Sequence, residues 1–430
     1  MTTTGSLQLS KSQLIQKYLD VREFTHLLCE PLEIEDYGIQ SMPDVSPTRW
    51  HLAHTAWFFE TFLLKPELPD YKTPNELYNY LFNSYYNAVG KQYPRANRGH
   101  ISRPTVADTY SYREHVDQEM IRLFESLDEQ KLTELSPIVL LGLNHEQQHQ
   151  ELMLTDIKHV LFQNPLYPAY STPGALAPSN KVMPLSWTAF PGGRYEHGFA
   201  GDQFAFDNET PKHEILLQPF ELANRLVTNA DFLEFVKDGA YQTPALWLSD
   251  GWSIIHKENW QSPLYWVMRD EEWFEFTLSG LRALDMNAPV THLSYYESDA
   301  FANWSMARLP SEFEWELSAQ DQSIVGNFVE SRHFHPRGTE NTGPGRIVQM
   351  YGDVWEWTRS PYIPYPGFKA ATGAIGEYNG KFMSSQMVLK GGSCVSSQDH
   401  IRATYRNFFY PHSRWQFMGL RLARDFNKQS

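Results

Sequence analysis

Two cysteines, Cys29 and Cys394, are all that the 430 residues contain. That is too few for a disulfide framework and points to a reducing compartment. Positive charge is scarce as well: 36 Lys and Arg stand against 51 Asp and Glu, a formal net charge of −15. A nucleic-acid partner is disfavoured, because binding phosphates needs clustered cations. No uninterrupted apolar run approaches the ~20 residues that span a bilayer. The start, Met1-Thr2-Thr3-Thr4-Gly5-Ser6, lacks the basic and apolar regions of a secretory signal. Internal repeats and low-complexity tracts are missing too. These absences lead to the expectation of a soluble, cytoplasmic protein with no membrane and no nucleic acid among its partners.

What is present is globular. Apolar residues make up 41% and aromatic residues 14%, with 13 Trp and 26 Phe, in a chain long enough for two domains. One stretch organises the reading: Leu143-Asn144-His145-Glu146-Gln147-Gln148-His149-Gln150-Glu151-Leu152, followed by Met153-Leu154-Thr155-Asp156-Ile157. It has no Gly or Pro and an apolar residue every third or fourth position, the pattern of a buried amphipathic helix. Two His four apart lie about 40° from one another around such a helix, so both imidazoles can reach one metal ion. His145-Glu146-x-x-His149 also spells the zinc-protease motif, with Glu146 as general base. In another reading the pair binds a different metal and Glu146 is a polar neighbour. In the blandest, two core histidines are satisfied by hydrogen bonds and bind nothing. The motif alone does not choose the metal.

Taken in order, residues 7–28 have helical spacing (Leu14, Ile15, Tyr18, Leu19, Val21). A second helix starts at Ser46-Pro47, with Ser and Pro at the cap and first-turn positions, and carries His51 and His54. Either could complete a metal site on His145 and His149. Arg95, Arg98 and Arg103 form an anion-binding loop or a solvated basic turn. A third helix from about Thr109 to Leu127 and the His-pair helix complete a four-helix bundle, a common host for metal sites. The Pro-rich run from Asn164 reads as a linker. Beyond it the chain is turn-rich and aromatic, with short strands and two helices.

The second half contains Pro191-Gly192-Gly193, Asn224-Arg225-Leu226-Val227-Thr228-Asn229, Pro289-Val290-Thr291-His292, Ala307-Arg308-Leu309-Pro310-Ser311-Glu312, Gly352-Asp353-Val354-Trp355-Glu356-Trp357, Lys390-Gly391-Gly392-Ser393 and Gly419-Leu420-Arg421-Leu422. In this order they resemble the sulfatase-modifying-factor (formylglycine-generating enzyme) superfamily, whose fold is an irregular module related to C-type lectins. Formylglycine-generating members bind copper through a pair of C-terminal cysteines; this half has Cys394 alone, which disfavours that activity. The first half resembles a DinB-type bundle. The expected fold is therefore α+β, with a DinB-like bundle over 1–163, a linker over 164–185 and a C-type-lectin-like sulfatase-modifying-factor domain over 186–427.

This combination resembles the ergothioneine-biosynthesis sulfoxide synthases over nearly the whole chain. Their iron ligands are a His closing a Trp-x-Leu-Ala-His stretch and a His-x3-His-x-Glu motif, and both are present. The resemblance thus assigns His54, His145 and His149 to Fe(II). It implies a non-haem iron enzyme that joins a thiol to the imidazole of hercynine (trimethylhistidine) and oxidises the sulfur with O2. Glu151 lies about 240° around the helix from His145 and reads as a residue behind the ligands. For substrate binding the resemblance implies Arg95 and Arg98 on the thiol's carboxylate, and Gln148, Asn407 and Phe408 around hercynine. Phe409 and Trp415 fall in the same aromatic stretch. Tyr85 and Tyr86 match active-site tyrosines of one subgroup. Members that use γ-glutamylcysteine have Asp where this chain has Phe409, which places it nearer the cysteine-using subgroup. A related branch forms a carbon–selenium bond. The rival readings from other classes are a zinc protease and a lectin-like module that only binds.

Overall fold

The computed structural model describes residues 9–171, 179, 182–339 and 346–426. Part of the expected linker, 172–178 and 180–181, lies outside the described residues. The chain divides into two compact units: Met1–Pro165 with Ala200–Asp207 and Lys369–Gly380, and the remainder. The two later segments of the first unit cluster with it rather than with their sequence neighbours, which a division into consecutive stretches does not capture. Among the described residues, no helix is long and apolar enough to cross a membrane.

The first unit is helical: α1 (Lys11–Cys29), α2 (Thr48–Phe59), α3 (Lys65–Glu67), α4 (Tyr78–Phe82), α5 (Val106–Ser126) and α6 (Glu129–Phe162). Side-chain caps set the starts of the long ones. Ser10 and Gln13 form a capping box on α1, Thr105 and Asp108 another on α5, and Asp128 accepts from the Lys131 N–H on α6. Ser46 does not cap α2 as its position suggested; Pro47 holds the N-cap position with no side-chain bond. The Ser46 N–H instead donates to Asp156 (2.8 Å), and its hydroxyl accepts from Arg98 (2.9 Å).

Helix α2 is buried nearly all round, its polar Thr48, His51, His54 and Thr55 included. Leu52, Ala53, Ala56, Trp57, Phe58 and Phe59 are wholly buried, and a buried Leu or Phe contributes about 1.5–3 kcal/mol. It packs against α5 and α6. A π-helical turn, Glu60–Leu64, extends it. The buried Glu60 carboxylate there accepts from the Tyr71 and Tyr112 hydroxyls, 2.8 and 2.6 Å away.

The second unit contains, in chain order, β1 (Trp187–Phe190), β2 (Gly193–His197), β3 (His213–Leu217), β4 (Phe220–Ala223), α7 (Asn229–Lys237) and α8 (Ser249–Lys257). There follow β5 (Trp266–Arg269), β6 (Glu272–Thr277), β7 (Gly280–Ala283), α9 (Tyr295–Trp304), α10 (Glu312–Ala319) and β8 (Trp355–Pro361). It ends with β9 (Met387–Lys390), β10 (Asn407–Phe409), β11 (Met418–Gly419) and β12 (Ala423–Asp425). Four small sheets result, ordered β1-β4-β12, β10-β9-β8-β11, β2-β3 and β5-β6-β7. Only β11 on β8 pairs in parallel among them. Among the described residues, four α-helices stand where two were expected. Each is 8 to 10 residues long, too short for a clear 3.6-residue period.

Strands this short cannot hold the unit by ladders alone. Buried ion pairs fasten it: Arg421 to Glu356 at 3.0 Å, Arg406 to Glu312 at 2.8 Å and Lys390 to Glu316 at 3.1 Å. Trp315, Trp355 and Trp357 fill the core around them. Gly391 sits at φ +98°, and a Cβ there would meet the Met350 carbonyl at 2.8 Å, so the turn requires glycine.

Candidate metal centre

Helix α2 brings up His54, and α6 brings up His145 and His149. One ring nitrogen from each falls within 4.8 Å of the others, and all three residues are buried. The pair on α6 meets at a ring-centroid distance of 4.6 Å, as spacing of four on a helix requires. Of the two candidates on α2, His54 joins the cluster.

His54 is set by its neighbours. Its ring is sandwiched between Trp50, 4.5 Å away, and Trp57, 5.5 Å away, both nearly parallel to it. The Arg98 guanidinium covers the other side of Trp50 at 3.3 Å. Nδ1 of His54 lies 2.5 Å from the Phe82 carbonyl at the end of α4. A carbonyl only accepts, so Nδ1 carries the proton and Nε2 presents a lone pair. That lone pair faces Nε2 of His145 at 3.2 Å. Nδ1 of His145 has no partner among the described residues. Nδ1 of His149 lies 2.8 Å from Nδ1 of His51, whose Nε2 is 3.1 Å from Asp156.

Burial lowers the pKa of all three ligands; His145 falls to about 3, and the neighbouring imidazoles lower His54 and His149 further. The cluster is therefore neutral at pH 7. Neutral imidazoles converging in a dry interior are the donor set that binds first-row transition metals such as iron, zinc, copper or nickel. A cation among the rings would satisfy the facing lone pairs, so the residues fit a metal ion.

Glu146 does not serve that centre. Its Oε1 accepts from Thr25 (2.7 Å) and Arg113 (2.8 Å), and its Oε2 accepts from Arg22 (2.8 Å). Burial alone would raise its pKa, but the two guanidinium groups outweigh that and hold it at about 2. Both oxygens are engaged, so the general base of a zinc protease is missing.

The other expected residues are spread more widely. Gln148 is half-buried, and its side-chain carbonyl accepts from the Tyr378 hydroxyl. Tyr85 and Tyr86 stack at 4.6 Å, and Tyr86 packs on Trp57. Arg98 is buried, its Nε has no partner, and it makes no ion pair among the described residues. Arg95 is exposed and donates to the Asp44 carbonyl. Asn407, Phe408, Phe409 and Trp415 belong to the second unit. There Phe408 stacks on Tyr362 at 4.0 Å and Phe409 meets Trp415 edge-on at 5.9 Å.

Tyr378 and Glu377 escaped the sequence reading. The Tyr378 ring stands edge-on to His145 at 5.8 Å, stacks on Phe206 at 5.5 Å and approaches Tyr85 to 6.3 Å. The Glu377 carboxylate accepts from the backbone N–H groups of Asn87 (3.0 Å) and Ala88 (2.7 Å), just after the tyrosine pair. A cavity of about 340 Å³ adjoins Tyr378, lined by Leu140, Leu141, Phe206, Asp207 and Ile375 among others. One Tyr among 23 in a turn-rich stretch carries no sequence signal.

These features define a DinB-type bundle, with a three-histidine group that could hold a metal ion, on the same chain as a sulfatase-modifying-factor module. The DinB superfamily matches residues 18–153, and the sulfatase-modifying factor enzyme 1-like domain matches residues 175–345 and 330–426. The module is thus of the C-type-lectin-like kind and the whole chain is α+β. Hercynine oxygenase of Mycobacterium tuberculosis is 30% identical over 413 residues, covering 89% of this chain and 92% of that one. The enzymes of the same name from Mycolicibacterium smegmatis and Mycolicibacterium thermoresistibile are 29% and 28% identical, over 90% and 99% of this chain and 92% and 98% of theirs. The chain belongs to the family of these hercynine oxygenases.

Proposed function

We propose that this protein is an iron(II)- and O2-dependent sulfoxide synthase joining the sulfur of cysteine to the imidazole carbon of hercynine. The overall change balances: a C–H and an S–H are lost, a C–S bond forms, one oxygen atom of O2 goes to sulfur and the other leaves as water. The observation that carries the reading is the buried neutral triad of His54, His145 and His149, in a chain related to hercynine oxygenases from end to end. Iron(II) bound there would supply the redox centre at which thiolate and O2 meet.

The chain's own residues support the rest. Three uncharged ligands leave the metal's charge to be offset by the incoming thiolate. Arg98, buried and with no ion pair among the described residues, suits the carboxylate of the thiol substrate, and holding it orients the sulfur. Hercynine's quaternary ammonium offers no N–H, so it needs aromatic faces and a carboxylate. Phe206, Tyr378 and Asp207 present these at the cavity. The Tyr378 ring meets His145 edge-on at 5.8 Å, and its hydroxyl serves as the proton donor. Roles for Arg95, Asn407, Phe408, Phe409 and Trp415 rest on the family resemblance, as does the assignment of the catalytic phenol to Tyr85 or Tyr86 instead. Cysteine is preferred to γ-glutamylcysteine because Phe409 replaces an Asp. Two free, buried cysteines support a cytoplasmic location.

Mass spectrometry of the products from hercynine with cysteine or γ-glutamylcysteine, in air with iron(II), tests the proposal. Hercynylcysteine sulfoxide is expected; no oxygen uptake with either thiol would refute the reaction. His54→Ala is expected to lose both iron and turnover.

A further inference from the structure

His51 precedes ligand His54 by three residues on α2, and Asp156 lies beyond ligand His149 on α6. Neither falls in the ligand motif, yet the fold lines them up. Nε2 of His51 is 3.1 Å from Oδ2 of Asp156, and its Nδ1 is 2.8 Å from Nδ1 of His149. The same Asp156 oxygen accepts the Ser46 N–H at 2.8 Å. His51 is 2% exposed and Asp156 3%.

A neutral imidazole carries one N–H, and a hydrogen bond between two Nδ1 atoms holds one proton. Two orders are therefore open. In the first, His149 Nδ1–H donates to His51 Nδ1, His51 Nε2–H donates to Asp156, and His149 keeps a bare Nε2. In the second, His51 Nδ1–H donates to His149, the bare His51 Nε2 faces the carboxylate, and the proton of His149 sits on Nε2. An ionised carboxylate only accepts, so the second order sets lone pair against lone pair in a buried place. The first order wins.

We propose that Asp156 and His51 are positioning residues that fix the tautomer of His149 through two consecutive hydrogen bonds, so that its Nε2 is the atom offered to the metal. Backing of this kind orients a ligating imidazole and makes it more basic. His54 receives its backing from the Phe82 carbonyl, whereas Nδ1 of His145 has none among the described residues. The three ligands are thus held in three different ways. Among the described residues, the hydrogen bonds of His149 alone lead through a side chain to a carboxylate.

The inference rests on the triad being a metal site, and the tests separate the two. In metal-free protein labelled with 15N-histidine, long-range proton–nitrogen spectra report which nitrogen of each ring is protonated. His149 is expected to carry its proton on Nδ1; a proton on Nε2 would overturn the proposal. Asp156→Asn keeps a carbonyl oxygen for both the Ser46 N–H and the His51 Nε2–H, so it should keep the order. Asp156→Leu removes that acceptor, and the His149 proton should no longer be confined to Nδ1. Iron(II) affinity, measured anaerobically by chelator competition, should then fall by roughly 10–100-fold. His51→Asn keeps an acceptor beside His149 and should stay close to the parent, while His51→Leu should not. Unchanged affinity in both Asp156→Leu and His51→Leu would overturn the proposal. If Asp156→Leu does not fold, the parent's spectrum decides. If the parent binds no cation, the metal reading fails and the spectrum still judges the hydrogen-bond order.

Discussion

The Tyr378 hydroxyl donates to the side-chain carbonyl of Gln148, the residue before His149, while the ring meets His145 edge-on at 5.8 Å. This phenol is tied to the ligand helix on both counts. Tyr85 and Tyr86 reach the centre less directly, Tyr86 being packed on Trp57, Phe58 and Phe62. Burial raises the pKa of both, so both stay protonated at neutral pH. Tyr378→Phe keeps the ring and removes the donor. General acid groups contribute typically 10²–10⁴-fold, so sulfoxide formation should fall by about that factor in Tyr378→Phe. Tyr85→Phe and Tyr86→Phe should fall less. Product analysis of the three variants checks this; equal losses would take the role away from Tyr378.

Glu146 gives a second expectation. Its carboxylate pairs with Arg22 and Arg113 in the bundle interior, where all three residues are at most 2% exposed, and Asp117 supplies Arg22 with a second carboxylate. Glu146→Gln would leave the buried Arg113 guanidinium without its counter-charge, while Arg22 keeps Asp117 at 2.7 Å. Breaking a buried pair from one side costs about 3–5 kcal/mol. The variant should therefore lose stability of that order in urea unfolding. A variant of parental stability that lost only turnover would return Glu146 to a catalytic role.

How far the residues spoke for themselves depended on how local each signal is. Helical spacing and the His-x3-His pair act within one turn of one helix, so α6 and two members of the histidine cluster were legible. The choice of His54 over His51 was not decided by spacing, since both face the same side of α2. It follows from the Phe82 carbonyl and the His51–Asp156 contact, which are long-range. Likewise Glu146 looked like a base from its neighbours in sequence, but Arg22 and Arg113 come from other helices. The second-unit motifs are fastenings: Arg225 on Asp231, Arg308 on Glu314 and Arg421 on Glu356. They identify a fold and say little about chemistry. Tyr378 was invisible because the segment 369–380 joins the first unit from far along the chain.

Acid sensitivity should have a source in the second unit. His197 faces Glu316 through Nδ1 (3.1 Å) and the Tyr365 hydroxyl through Nε2 (2.7 Å). Burial, with Lys390, His213 and Arg406 adding to it, pushes its pKa down to about 2. The ordinary value is about 6.5, so on acidification the unfolded chain takes the proton first. Stability is complete above pH ~6.5 and declines as the pH falls from there toward 2. Glu316, raised by its burial, works in the opposite sense. Melting temperatures of the parent should drop between pH 6.5 and 4.5, and His197→Gln should flatten that slope. An equally steep slope in the variant would assign the effect elsewhere.

The approach of α6 to α2 depends on Gly142, one turn before His145. A Cβ there would lie 2.6 Å from Cε1 of Phe59 and 3.0 Å from Cε1 of Phe58. Both rings are wholly buried and have nowhere to retreat. In open space, alanine would stabilise a helix interior by about 1 kcal/mol over glycine. Here overpacking, at about 1–3 kcal/mol, outweighs that gain. The added methyl must push α6 from α2 at the turn that sets the 3.2 Å separation of His54 and His145 Nε2. Gly142→Ala should therefore be less stable than the parent and bind iron(II) more weakly. Urea unfolding and chelator competition measure the two effects. A variant more stable than the parent, with unchanged affinity, would show that this contact does not set the spacing of the ligands.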